Sequence, residues 1–288
     1  MSDTRVGTYL HDYFRAHPDN VALMPVVQFF LSFQQQHGCL ESIFGELLRQ
    51  ALDEVIDMRR TRRFSIDELE KTEKTYIGTK VEILLRSYFS LEKGRLLDLL
   101  IAGIEVDVKN TVGSTWMIPR EAINHICILL QPNDDQSAFN VGLIICRDRA
   151  LTAGSNQDSK RSVSAAGKRE ILWLIYDGRL PKNFFLHIQS SQRESILSLR
   201  NDTERLAAMF MVFQGEVLAR ELVEAVASQS DYMKRLRRNG GARDILDREG
   251  FKLMWGGNLS DREKLEFLGY QGITKKHFVC LPISMLSN

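Results

Sequence analysis

Apolar residues recur three and four positions apart through the first third of the chain. "VALMPVVQFFLSFQQQ" (residues 21–36) and "CLESIFGELLRQALDEVIDM" (39–58) both carry this spacing, which lays an apolar stripe along one helix face. "RRTRRFSIDELEKTEKTYIGTKVEILLRSYF" (59–89) follows, and a helix is predicted over Thr79–Phe89. The period then shortens. "LLDLLIAG" (96–103), "IEVDVKNTV" (104–112), "HICILLQ" (125–131) and "FNVGLIICRDR" (139–149) read as strands, with a helical pattern, "REAINHICIL" (120–129), between two of them. "GSNQDSKRSVSAAG" (154–167) reads as a polar loop, and Ser164 as the N-cap of a helix over "AAGKREILWLIY" (165–176). Beyond the turn residues of "DGRLPKNF" (177–184), "NDTERLAAMFMVFQ" and "EVLARELVEAVASQ" are amphipathic, then "SDYMKRLRRNGGARDILDREG" leads into a short run, "FKLMWGG".

This succession predicts a mixed α/β (α+β) sheet domain over residues 1–178, a linker over 179–184, and a mainly helical domain over 185–288. Helices followed by a small hairpin give the second domain the outline of a winged helix-turn-helix. The 288 residues suffice for two ordinary cores.

Composition narrows the class without naming a chemistry. A hydrophobic share of 44% beside 26% charged residues marks a globular chain, and a net charge of +1 announces no global affinity for nucleic acid. Any such partner must therefore show as local basic patches. Cys39, Cys127, Cys146 and Cys280 form no CxxC pair, and three lie in apolar runs. They read as reduced thiols of a cytoplasmic protein. No apolar stretch approaches the ~18 residues of a membrane span, and "MSDTRVGTYL" has no signal-peptide pattern.

The chemistry starts at "GIEVDVKN" (103–110). On a strand, alternate residues share a face, so Glu105, Asp107 and Lys109 line one side and Ile104, Val106 and Val108 pack behind. A solvated edge with alternating charges would read the same way. Asp98, however, stands alone among apolar residues upstream, and a buried carboxylate needs a partner or a cation. A hairpin turning near Gly103 would bring Asp98 beside Asp107 and Lys109. Glu82, flanked by apolar residues in "TKVEILLRSYF", belongs on a helix face turned toward the protein. Clustered carboxylates suit a hard divalent cation such as Mg²⁺. Phosphodiester hydrolysis uses such a cation with a positioned water and a cationic side chain. Asp-x8-Asp-x-Lys with an upstream helical Glu is the PD-(D/E)xK nuclease pattern.

The surrounding segments sharpen this. "EKTYIGTKVEI", "LIAGIEVDVKN", "WMIPREAINHICIL" and "GSNQDSKRSVSAAGKREILWL", in that order and spacing, resemble the NaeI-type family of type II restriction endonucleases. The resemblance runs from about Leu52 to Phe185, fades at the N-terminus and is looser in the last third. It implies a restriction-endonuclease-like nuclease domain followed by a DNA-binding domain similar to that of the catabolite activator protein. It further implies a homodimer, in a bacterial or archaeal cytoplasm, that binds two double-stranded DNA sites, one as substrate and one as effector. By position, Glu82, Asp98, Asp107 and Lys109 match the family's catalytic set. Asp98 and Asp107 would hold Mg²⁺, Glu82 would be a further metal carboxylate, and Lys109 would position the attacking water. Glu105 falls outside the set and reads as a surface strand charge. "LLDLLIAG" is more apolar than the family pattern, and Asn110 follows the lysine where the family varies. Val55 stands where a ligase-like motif would place its lysine, so no covalent enzyme–nucleotide chemistry is expected.

Three segments are candidates for DNA contact. Arg59, Arg60, Arg62 and Arg63 could neutralise phosphates. Asn156, Asp158, Lys160 and Arg161 share one loop and are residue types that read base edges and phosphates. Residues 200–231 hold three basic against six acidic residues, whereas 232–252 hold seven against three. The sign therefore flips where a recognition helix would begin, at Lys234, Arg235, Arg237, Arg238 and Arg243. Solvated charge runs would look alike. Trp255, His125 and Cys127 read as core residues, and no histidines form a ligand cluster.

Two further functions remain open on these residues. A strand-nicking or mismatch-repair endonuclease could use the same metal site without twofold contacts. A non-catalytic DNA-binding regulator would require a broken site, yet all four polar positions are intact.

Overall fold

The computed structural model describes residues 14–227 and 231–286, with the Arg59 side chain left outside the description. The "MSDTRVGTYL" segment therefore lies outside the described residues. The chain divides into two compact units, one of Met1–Ile56 with Ser65–Asn183, the other of Asp57–Phe64 with Phe184–Asn288. The basic "RRTRRF" run thus groups with the second unit, although it lies far from it in sequence.

In the first unit, α1 (Asn20–His37), α2 (Leu40–Ile56) and α3 (Lys71–Tyr88) flank a five-stranded mixed sheet of order β1 (Leu99–Ile101), β2 (Ile104–Asn110), β4 (Ile126–Asn133), β5 (Ala138–Ile145), β8 (Leu172–Arg179). Helix α2 buries Leu40, Phe44, Leu47, Leu48, Ala51, Leu52 and Val55, the face its three- and four-residue spacing defines. Phe30, Phe44 and Phe89 lock the helices together with ring centroids 5.3–5.6 Å apart. Helix α3 starts at Lys71, well before the predicted Thr79. The Glu73 carboxylate accepts the Glu70 amide at 2.8 Å, completing a capping box that nucleates the extra turns.

Strand β1 (Leu99–Ile101) is shorter than "LLDLLIAG" suggested and leaves Asp98 just outside it. It pairs antiparallel with β2 (Ile104–Asn110) through a two-residue turn, Ala102 at φ 50° and Gly103 at φ 77°. Both residues are left-handed, as the twist of a tight hairpin demands. After β3 (Met117–Ile118), the helix predicted over 120–129 reduces to a 3-10 turn, Arg120–Ala122. Asn124 at φ 66° breaks any continuation. The following β4 (Ile126–Asn133) runs parallel to β2 and antiparallel to β5 (Ala138–Ile145). Ile126–Leu130 are all buried, because a central strand covered on both faces is apolar at every position.

The predicted 154–167 loop is also different. It is a hairpin of β6 (Leu151–Ser155) and β7 (Arg161–Val163), joined to β3 in a second sheet of order β3-β7-β6. Ser164 does cap a helix, its Oγ accepting the Gly167 amide at 3.0 Å, but that helix, α4 (Ala165–Arg169), is short. "LWLIY" continues as β8 (Leu172–Arg179) against β5. Its aromatic and β-branched residues suit a sheet edge better than a helix.

The second unit runs α5 (Ser190–Leu197), α6 (Asp202–Val212), β9 (Val217–Ala219), α7 (Arg220–Ala227), α8 (Tyr232–Arg235), α9 (Ala242–Arg248), β10 (Phe251–Trp255), α10 (Leu259–Phe267) and β11 (His277–Pro282). Its sheet is antiparallel, in the order β10-β11-β9. The expected small hairpin is not a tight one, since α10 is inserted between its strands. Phe185, Leu206, Phe210, Leu246, Leu253 and Phe278 form the core, with Phe64 stacked on Phe185 at 5.5 Å. Buried Arg205 ties this core to its surroundings, donating to the carbonyls of Leu199 (2.8 and 3.0 Å) and Val226 (3.0 Å) and pairing with Asp202 at 3.1 Å. Trp255 is half-buried over Phe278, in line with its reading as a packing residue.

Candidate active site

The β1–β2 hairpin delivers the acid pair. Its register sets Leu99 opposite Val106, so Asp98 and Asp107 meet one step further along. Asp98 Oδ2 accepts the Val108 amide at 2.8 Å, which fixes that carboxylate against β2. Lys109 Nζ lies 2.7 Å from Asp107 Oδ2 and 3.6 Å from Asp98 Oδ2, and donates to the Val108 carbonyl at 2.9 Å. Alternation along β2 thus places Asp107 and Lys109 together, as the sequence suggests. It does not leave them in solvent, since Asp107 is only 3% exposed.

Burial dominates the electrostatics. It pushes the Asp107 carboxyl up to about 7, helped by its hydrogen bond with Asp98 and opposed by Lys109. Burial works against the Lys109 ammonium, but Asp107 and Asp98 outweigh it and hold the lysine above its usual value. Glu82, on α3, is also raised, first by desolvation and then by the Asp98 charge, against the pull of Arg86, Lys109 and Lys93. Arg86 sits 3.8 Å from Glu82. Asp98, Asp107 and Lys109 are in direct contact, whereas Glu82 is felt only through its charge. Among the described residues, no three His, Cys, Asp or Glu side chains form a ready metal cage.

The acid pair nevertheless fits a hard cation. Two carboxylates, Asp107 buried and Asp98 half-buried, share one cradle with a single ammonium between them, and burial makes Asp107 resist ionising. Oxygen donors and this excess of negative charge are what Mg²⁺ requires.

Glu105 is no idle strand charge. Its Oε1 accepts the Arg95 amide at 2.7 Å, and its Oε2 accepts those of Leu97 at 2.9 Å and Leu96 at 3.4 Å. These bonds, Leu97's first, hold its carboxyl below the usual glutamate value. Gly94 was a usable signal, because a Cβ there would stand 2.2 Å from Glu105 Oε2 and 2.5 Å from the Leu97 carbonyl. His125 is half-buried rather than core. Cys127, Cys146 and Cys280 are buried free thiols, and Cys39 is exposed.

The candidate DNA residues separate by what already holds them. Asp158 is exposed at the β6–β7 tip, while Asn156 Oδ1 accepts the Lys160 amide at 2.9 Å and closes the turn. Arg161 braces the hairpin through Asp148 (2.5 Å) and the Thr152 carbonyl (2.6 Å). In the second unit, Arg60 pairs with Asp57 at 2.9 Å, Arg62 is exposed and Arg63 is half-buried. Lys234 and Arg237 are exposed, and Arg238 lies 3.8 Å from Asp247. Arg235 is half-buried, and Arg243 donates to the Leu253 carbonyl, so neither is fully offered to solvent.

A mixed sheet flanked by helices, with an acid pair and a lysine on its edge hairpin, is consistent with a restriction-endonuclease-like nuclease domain. Comparison with known proteins makes the class specific. The family described as restriction endonuclease NaeI matches residues 36–286. The type II restriction enzyme NaeI of Lentzea aerocolonigenes is 37% identical over 216 residues, covering 72% of this chain and 68% of that enzyme. The chain belongs to the NaeI restriction endonuclease family, and is therefore a nuclease of the restriction-enzyme class.

Proposed function

We propose that this protein is a Mg²⁺-dependent type II restriction endonuclease that hydrolyses both strands of double-stranded DNA at a short palindrome. The observation that carries the reading is the contact of Asp98 and Lys109 with the buried Asp107 within a chain of this family. Asp98 and Asp107 would hold the cation, with Glu82 as a nearby carboxylate. When bound, Mg²⁺ supplies positive charge against the phosphate. Lys109 keeps its proton on Nζ, held there by both aspartates, and can orient a water or steady a phosphate oxygen. Asp98 stays in place through the Val108 amide, so the cradle is organised before DNA arrives.

The first unit would be the nuclease domain. The second has the order α5-α6-β9-α7-α8-α9-β10-α10-β11, to which a winged-helix reading corresponds when α10 is taken as an insertion in the wing, with the exposed Lys234, Arg237 and Arg238 as phosphate contacts at a second, stimulating DNA site. A homodimer matches a palindrome by symmetry. At the β6–β7 tip, Asp158 and Lys160 are the favoured DNA contacts.

Incubation with supercoiled plasmids of varied sequence, with and without Mg²⁺, tests the reading. Discrete linear products that require Mg²⁺ support it. Nicked circles alone favour a strand-nicking repair enzyme. Lys109→Ala that cleaves as fast as the unaltered protein would refute the site assignment.

A further inference from the structure

We infer that Glu105 is a positioning residue of the nuclease site: its carboxylate clamps the Lys93–Leu97 turn, which sets Asp98 and holds Lys93 and Arg95 out as contacts for DNA phosphates. This rests on the nuclease reading above and adds a substrate-binding element to it.

The clamp is built from both sides. Glu105 gathers three consecutive amides, Arg95, Leu96 and Leu97, at 2.7, 3.4 and 2.9 Å. Gly94 lets the backbone close over the carboxylate, where any Cβ would collide with it. Upstream, Glu92 bridges to Leu100, and the Leu100 amide donates to the Glu92 carbonyl at 2.9 Å. The turn is therefore pinned at each end to the hairpin. Its last clamped residue, Leu97, is buried and directly precedes Asp98. Any slackening of the clamp would move the carboxylate that accepts the Val108 amide and pairs with Lys109.

The same turn carries two exposed cations. Lys93 and Arg95 are exposed, and among the described residues neither is in a salt bridge. Lys93 is near enough to act on Glu82, so it stands at the margin of the acid site. A polyanion whose scissile phosphate reaches Asp98 and Lys109 would bring flanking phosphates past this turn. An ordered turn presents both cations at little entropic cost.

The test uses the full chain. Binding of a labelled, random-sequence duplex of about 30 base pairs is followed by anisotropy in EDTA over a range of salt. Each phosphate contact contributes about 0.9 to the slope of log K against log salt. Lys93→Ala and Arg95→Ala should each lower the slope by about that amount per bound protomer. Glu105→Ala should lower it by about twice as much, although both cations remain. Adding Lys93→Ala to Glu105→Ala should change it no further, which a purely stabilising role for Glu105 would not produce.

On a plasmid the unaltered protein cuts, Glu105→Ala should lose at least about tenfold in kcat, while the two cation variants mainly raise KM. Glu105→Gln, whose carbonyl still accepts the Leu97 amide, should recover part of both. Folded Glu105→Ala with unchanged slope and kcat overturns the inference. Where Glu105→Ala does not fold, the exposed-residue variants decide: unchanged slopes overturn it. Cleavage of no plasmid by the unaltered protein refutes the nuclease reading instead, while the EDTA slopes still judge the turn.

Discussion

Replacing Asp107 by Asn should make the protein more stable and stop cleavage. Asp107 is 3% exposed, and its carboxyl titrates at about 7 instead of 3.8. Each pH unit of that rise is worth 1.36 kcal/mol, so ionising Asp107 inside the fold above neutral pH costs about 4 kcal/mol relative to the unfolded chain. The sign follows from proton counts. Between pH 4 and 7 the folded chain keeps a proton that the unfolded chain releases, so this group makes stability fall as pH rises through that window. Asn has the same shape, still offers an oxygen to Lys109, and carries no charge. The variant should therefore be about 2–4 kcal/mol more stable at pH 8, with the gain shrinking toward zero near pH 4. Urea unfolding in EDTA at several pH values measures this, with Trp116 and Trp173 as reporters in the first unit. Mg²⁺ at a hundred times its dissociation constant should return about 2.7 kcal/mol to the unaltered protein and little to the variant. A variant less stable than the unaltered protein at pH 8, or a difference that ignores pH, would refute the buried-anion argument.

Three other outcomes follow from the same physics. Ala102→Asn should stabilise the hairpin by about 0.5–1 kcal/mol, because Ala102 holds φ 50° and Asn tolerates that region better; an unchanged urea midpoint counts against it. Arg205→Leu should destabilise the second unit by about 3–5 kcal/mol, since the partly buried carbonyl of Leu199 and the buried one of Val226 lose their donor. Amide exchange in α6 and α7 that stays as slow as before would contradict this. Arg147, hydrogen-bonded to Asp19 at 2.7 Å, holds that carboxyl below its usual value. Its stabilisation is present above the unfolded value near 3.9 and is lost as pH falls through the lower folded value. Asp19→Asn should thus remove about 1–3 kcal/mol at pH 7 and flatten the acid limb of an unfolding curve, and an equally steep limb would show that other groups govern it.

What could be read from the sequence depended on how local its cause was. Asp98 and Asp107 were legible as neighbours because a hairpin's register follows from its turn, and Gly103 marked the turn. The stripe of α2 was legible because periodicity is a property of the helix alone. The strand β8 was not, since "AAGKREILWLIY" satisfies a helix pattern until pairing with β5 is considered, and that pairing is set by residues some thirty positions away. The second unit's claim on Asp57–Phe64 is likewise tertiary: Phe64 reads as an isolated aromatic until Phe185 lies on it.

Glu105 shows the same limit at the site itself. Parity along β2 puts Glu105, Asp107 and Lys109 on one face, which made the glutamate look like a lesser copy of its neighbours. Parity fixes direction but not depth or partner. Asp107 meets a carboxylate and an ammonium in a buried cradle, so its ionisation is resisted. Glu105 meets three amides at the surface, so its ionisation is favoured. Backbone amides have no sequence signature of their own, and only Gly94, whose missing Cβ makes room for the carboxylate, records their presence. Two acids on one strand face thus titrate in opposite directions, and the one that prefers its charge is suited to architecture, while the one that resists it is suited to hold a cation.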